Sequence, residues 1–208
     1  MSALVDSEIE RAYESGSIVI EPFDRKCLGT NSYDVHLAST LLTYRPDYET
    51  VMAYFDDRYG FTPTPSRREK PLDVYEPRDT ISHVIYEEGF VLQPGELYLA
   101  STVEYTESHR HLPILNGKSS IGRLGLSIHV TAGTGDVGFC GHWTMELFVI
   151  KPLRVYAGMA IGQLLWFTTN EAPEIPYDLK KSAKYNNRNP TPMASMMYQE
   201  LSGSESEE

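Results

Sequence analysis

Lys118, Ser119, Ser120 and Arg123 fall within six residues of one another, beside Gly117 and Gly122, in the run NGKSSIGRLG. Small residues let backbone N–H groups approach an anion, and a short helix start would aim them at it. Arg123 could hold a phosphate through two hydrogen bonds. A polar turn with a surface arginine explains the same run without a ligand, so the motif alone leaves both readings open. A Walker P-loop is excluded. That motif needs a glycine where Leu112 stands, and Gly122 and Gly125 interrupt the helix that should follow.

A second candidate is a single carboxylate. Residues 141–151 read GHWTMELFVIK. Trp143, Met145, Leu147 and Val149 would line one face of a strand, and Thr144, Glu146, Phe148 and Ile150 the other. Both faces are mostly apolar, so burial on both sides is expected. A buried carboxylate costs roughly several kcal/mol unless it is paired or protonated. Glu146 is therefore either half of a structural ion pair, or a general base whose proton affinity burial has raised. Asp136, in GTGDVG, is a turn residue or an acceptor for a ligand hydroxyl. The segment PYDLKKSAKYNNRNP carries Lys180, Lys181, Lys184 and Arg188, with Tyr177 and Tyr185 between them. It could fold over a polyanion as a lid, or remain a solvated tail.

Other chemistries find no support. The six histidines make no H-x-x-x-H pair and no H-x-E followed by P-C-x-x-C. His109 and His111 are expected at the surface, and His129 and His142 in packing roles. No G-x-S-x-G is present. Cys27 and Cys140 are the only cysteines, which argues against a disulfide framework and against a cysteine-based zinc site.

The elements that must position these residues are mostly strands. Asp6 or Ser7 could cap a short helix through Tyr13, with Gly16 ending it. Strand signals follow at 17–23, 32–38, 40–45, 83–92, 96–106, 126–131, 142–150 and 159–169, separated by Gly-, Pro-, Asn- and Asp-rich turns. Many short strands without βαβ alternation point to a mainly β barrel or sandwich. Residues 46–79, with five prolines, read as an insertion carrying a short helix near 49–56. The chain up to residue 197 is expected to form one domain, and 198–208 an acidic, disordered tail.

Net charge is −11, and about −7 without the four glutamates of the terminal QELSGSESEE. Such a surface is a poor footprint for nucleic acid. No apolar run reaches the roughly 20 residues needed to span a bilayer, and the N-terminus lacks the basic and apolar regions of a signal peptide. A cytoplasmic protein with no membrane partner is expected.

Taken together, NSYDVHL, GKSSIGRLGL, HVTAGTGDVGF, WTMEL, YAGMAIGQL and AKYN resemble the dCTP deaminase family of the dUTPase-like superfamily. They fall in the family's order and spacing, and cover about residues 8–45 and 80–197. The resemblance implies a distorted jelly-roll-like β-barrel (dUTPase-like, β-clip) with a short N-terminal helix and few small helices. It implies a homotrimer with shared active sites. The reaction would be dCTP + H2O → dUTP + NH3, feeding dUMP and thymidylate synthesis. Mg²⁺ would arrive on the triphosphate, no metal would be held by protein side chains, zinc would not be used, and dTTP could inhibit.

Carried over by residue, the resemblance makes Glu146 the catalytic base, supported by Ser119 and Arg123, with Arg123 from a neighbouring subunit. Lys118, Ser119, Ser120, Ile121, Gly122 and Arg123 would form the phosphate loop. Asp136 would meet the deoxyribose, and Thr144, Met145 and Glu146 would line the base. Tyr177 and Lys184 would contact the triphosphate, with Arg188 a further candidate. Two positions depart from the family pattern. Lys118 stands where many members have arginine, and Arg188 where some have glutamine. Alternative readings are a bifunctional enzyme that continues to dUMP and pyrophosphate, a non-catalytic trimeric nucleotide-binding regulator, and a strict dUTPase. The Met145–Glu146 pair fits the last least well.

Overall fold

A computed structural model of the chain describes residues 1–53, 64–186 and 188–202. It divides into two compact units, residues 1–43 with 82–194, and residues 44–81 with those from 195 onward.

The first unit opens with helix α1 (Asp6–Glu14). Its cap is Val5, one residue before the expected Asp6, and the Glu8 carboxylate accepts from the Val5 N–H at 3.0 Å. Acidic Asp6 and Glu8 in the first turn suit the positive end of the helix, and Ile9 and Ala12 face the core. Strand β1 (Ile18–Glu21) follows, then β2 (Tyr33–Tyr44), one long strand where two were expected.

The second unit holds β3 (Tyr48–Ala53) and β4 (Thr64–Glu69), an antiparallel pair. The helix expected near 49–56 is thus a strand as far as residue 53, and its remainder lies outside the described residues. Cross-strand partners explain the difference. Arg68 donates to Glu49 at 2.6 Å, and the Arg67 guanidinium stands 4.2 Å over the Tyr48 ring. A short helix, α3 (Met197–Ser202), forms where a disordered tail was expected to begin.

The first unit resumes with β5 (Thr80–Val84), β6 (Phe90–Leu92), β7 (Tyr98–Ser108) and β8 (His111–Gly117). Then come a four-residue helix α2 (Ser119–Gly122), β9 (Leu126–Ser127), β10 (Cys140–Val149), β11 (Leu153–Val155) and β12 (Ala160–Thr168). The main sheet runs β8-β12-β2-β7-β10-β9, with β1 on β7 and β5 on β2. It curls into a nearly closed, barrel-like wall, and β6 and β11 make a small second sheet. The mainly β, jelly-roll-like barrel is therefore the fold.

Its core contains Tyr33, Leu37, Met145, Leu147, Ile161 and Trp166, each at most 1% exposed. A bulge in β7 shapes the site wall. His142 and Thr144 of β10 face Tyr105 and Ser101, so residues 102–104 carry the excess. Glu104 turns inward there and is 3% exposed. It accepts from the His36 N–H at 2.8 Å and meets His36 Nδ1 at 2.5 Å. Among the described residues, the deeply buried carboxylate is Glu104, not Glu146.

Candidate active site on the outer face of β7 and β10

Strand β10 buries only one face. Trp143, Met145, Leu147 and Val149 point into the core, while Phe148 is 44% and Ile150 66% exposed. Two-sided burial is thus not realised within the chain, and Glu146 is half-buried on the outer face. Its Oε2 accepts from the Val130 N–H at 3.2 Å, and its own N–H donates to the Ile128 carbonyl at 3.0 Å. No arginine pairs with it, so the structural ion-pair reading lapses among the described residues. Met145, expected to line the base, has its side chain in the core.

The candidate phosphate loop is built on α2. Ser119, Ser120, Gly122 and Arg123 are exposed, and half-buried Ile121 packs against the core and anchors the turn. Lys118 is tied down twice. Its N–H donates to the Ile161 carbonyl at 3.3 Å, and its ammonium pairs with Asp34. Gln163 Nε2 donates to Asp34 Oδ1 at 3.3 Å. Neither Asp34 nor Gln163 was among the residues expected at the site. A signal was present, because Asp34 breaks the run of buried Tyr33, Val35 and Leu37 on the outward positions of β2.

Asp136 sits on a loop fixed by its neighbours. Gly135 N–H donates to Pro113 O at 2.9 Å, and Gly138 N–H to Ser108 O at 2.7 Å. The Phe139 N–H donates to Asp136 O at 3.1 Å and closes the turn, leaving the exposed Asp136 carboxylate 3.5 Å from Lys180 Nζ. Tyr177 N–H docks on Val137 O at 2.8 Å, and its hydroxyl accepts from the Tyr185 N–H at 3.1 Å. The Lys184 ammonium lies 5.6 Å over the Tyr185 ring.

Gly138, with φ 93°, lets these segments meet. A Cβ there would come within 2.6 Å of the Tyr177 nitrogen and of Asp178 Oδ1. Gly138→Ala is expected to lift residues 176–179 off the loop. Trypsin should then cut at Lys180 and Lys181 several-fold faster than in the wild type; an unchanged rate would mean the contact holds nothing down.

Beyond Tyr185 the chain is a strap along β7 and β10. Asn186 Oδ1 accepts from the Cys140 N–H at 3.1 Å. Arg188 donates to Glu107 at 3.2 Å and stacks 5.1 Å over Tyr105. Pro190 O accepts from the Ser101 hydroxyl, and the Met193 N–H donates to Thr144 Oγ1 at 3.1 Å. The segment read as a lid or a tail is thus packed on the face that carries Thr144 and Glu146. Burial would raise the Glu107 carboxyl, but hydrogen bonds from Tyr105 and His109 and the charge of Arg188 outweigh it and hold it below its usual range. Burial pushes the Cys140 thiol up to about 11. Among the described residues, no hydrogen bond or ion pair joins Glu146 to Ser119 or Arg123.

Residues 3–169 match the dCTP deaminase-like family, and the chain belongs to it. It is an enzyme, as its relatives are. A protein of Cytophaga hutchinsonii named dCTP deaminase, dUMP-forming, is 44% identical over 168 residues, 81% of this chain and 82% of that protein. One of Clostridium acetobutylicum with the same name is 42% identical over 170 residues, 82% and 83% of the two chains. The 2'-deoxycytidine 5'-triphosphate deaminase of Agrobacterium tumefaciens shares the fold, with TM-score 0.52 and 18% identity. That match covers 80% of this chain and 48% of the other. No described helix is long and apolar enough to cross a membrane.

Proposed function

We propose that this enzyme deaminates dCTP and carries the product on to dUMP, by dCTP + 2 H2O → dUMP + PPi + NH3. Deamination was expected to stop at dUTP, with dUMP formation as the alternative. The observation that reverses their order is that relatives spanning over four-fifths of the chain are named dUMP-forming. In the first half-reaction Glu146 takes a proton from water as its oxygen adds to C4 of cytosine, and delivers that proton to N3. The carboxylate then takes the proton of the new C4 hydroxyl and gives it to the departing ammonia, leaving the C4 carbonyl. A half-exposed carboxylate on a rigid strand, held by the Val130 N–H, suits a group that must face both water and base. Zinc-bound hydroxide is not required by this route. In the second half-reaction water attacks the α-phosphorus and pyrophosphate leaves.

Lys118, Ser119, Ser120 and Arg123 receive the phosphates, Asp136 the deoxyribose hydroxyl, and Tyr177, Lys184 and Arg188 close from the strap side. Mg²⁺ enters as part of the nucleotide complex and offsets the triphosphate's charge in a chain of net charge −11. The site is completed in a homotrimer. Two features support that reading: among the described residues nothing links Glu146 to Ser119 and Arg123, and exposed Leu124, Val130, Phe148 and Ile150 stand on the strand and loops around it. The enzyme works in the cytoplasm, where its nucleotide substrate is made.

Incubating the purified protein with Mg²⁺ and dCTP is expected to release one pyrophosphate per ammonia. Accumulation of dUTP without pyrophosphate would restore the simple deaminase. Ammonia release absent with dCTP, CTP and dCMP alike would defeat both.

A further inference from the structure

The strap end of the β7–β10 wall carries a cluster that the proposed reaction does not use. Cys140 of β10 is paired directly with Glu107 of β7, so their side chains leave the same face of the sheet. His109 lies just past the end of β7, and its Nε2 meets Glu107 Oε2 at 2.8 Å. The thiol, one imidazole nitrogen and one carboxylate oxygen all lie within 4.8 Å of one another. His109 is exposed while Glu107 and Cys140 are half-buried, so a solute can reach the cluster from solvent.

We propose that Glu107, His109 and Cys140 bind a thiophilic divalent cation of the zinc class, in competition with Arg188. Sulfur, imidazole and carboxylate together suit zinc-like ions, whereas Mg²⁺ avoids sulfur. Three protein ligands leave a fourth position for water. Today's partners of Glu107 show what the cation displaces. Oε2 meets His109 Nε2 at 2.8 Å, and Oε1 accepts from the Tyr105 hydroxyl at 2.6 Å and from Arg188 at 3.2 Å. A cation between His109 and Glu107 Oε2 draws charge from the carboxylate and weakens its hold on Arg188 at Oε1, and with it the strap's tether between its anchors at Asn186 and Pro190. The site lies six residues from Glu146 along β10, about 20 Å at the usual strand rise. Glu107, His109 and Cys140 take no part in the reaction proposed above; that reaction shares only Arg188 with the site, and zinc there loosens the strap rather than attacking a base.

The test titrates Zn²⁺ alone into the full-length protein by calorimetry, with Co²⁺ as a spectroscopic probe for a thiolate-to-metal band. The wild type is expected to bind one Zn²⁺ per chain and to show the cobalt band. Cys140→Ser and His109→Gln should each weaken binding by about tenfold or more. Cys27→Ser should bind as the wild type does, and Arg188→Ala should bind more tightly. Zinc should also speed tryptic cleavage at Arg188. His109→Gln alters an exposed side chain, so it reports even if Cys140→Ser folds poorly. Absence of wild-type binding, wild-type affinity in His109→Gln, or loss of binding in Cys27→Ser would each overturn the site.

Discussion

Glu146→Gln is expected to lower kcat for dCTP deamination by about 10²–10⁴-fold, the range that a positioned general acid–base supplies. Its unfolding free energy should stay within about 0.5 kcal/mol of wild type. The two expectations belong together. The side chain is half-buried and makes one hydrogen bond, accepted from the Val130 N–H at 3.2 Å. A glutamine oxygen can accept the same bond, and the core face of β10 is untouched. What glutamine cannot do is take protons from water and from the C4 hydroxyl and deliver them to N3 and to ammonia. KM should therefore move much less than kcat. Ammonia release and a thermal melt of both proteins decide it. A variant within tenfold of the wild-type kcat would remove Glu146 from the mechanism.

Trp143→Ala should cost about 3–5 kcal/mol, as for other large buried aromatics. For a chain of this size that is a fall in Tm of roughly 6–20 °C. Trp143 is 6% exposed. Its Nε1–H donates to Thr106 Oγ1 at 3.0 Å, and its ring lies 4.7 Å from that of Phe139. It is also the floor of the loop that carries Asp136, since a Cβ on Gly135 would come within 2.5 Å of the indole. Activity well below the melting temperature should fall as well. Calorimetric unfolding gives the first quantity, and turnover at low temperature the second. A loss under about 1 kcal/mol would mean that the ring is not the support described.

The contrast between these two neighbours shows what was legible in the sequence. Alternation along β10 placed Trp143 and Glu146 on opposite faces correctly. It could not tell that the Glu146 face is open within one chain, because Phe148 and Ile150 are as apolar as core residues yet lie exposed. Glu104 was illegible for another reason. Its partner His36 is 68 residues away, and the bulge that turns it inward is a property of the β7–β10 register. The hairpin of β3 and β4 escaped similarly. TPSRRE has few strand formers, and what holds it opposite YETVMA is pairing across the hairpin, such as Arg68 with Glu49. Strap anchors such as Asn186 on Cys140 and Met193 on Thr144 are single hydrogen bonds from a backbone N–H to a side-chain oxygen, which no composition or period announces. The family motifs, by contrast, were local strings, legible without any knowledge of long-range pairing.

The pairing of Lys118 with Asp34 balances the charge at that position of the loop. On the proposed reaction, an incoming phosphate must outbid a carboxylate already in place, so Lys118 weighs how much charge a guest brings and not merely whether it has any. A triphosphate is well equipped for that exchange, and a monophosphate poorly. On the proposed reaction, loss of pyrophosphate then weakens the enzyme's hold on its own product. Turnover is helped along by an anion that the protein keeps in reserve.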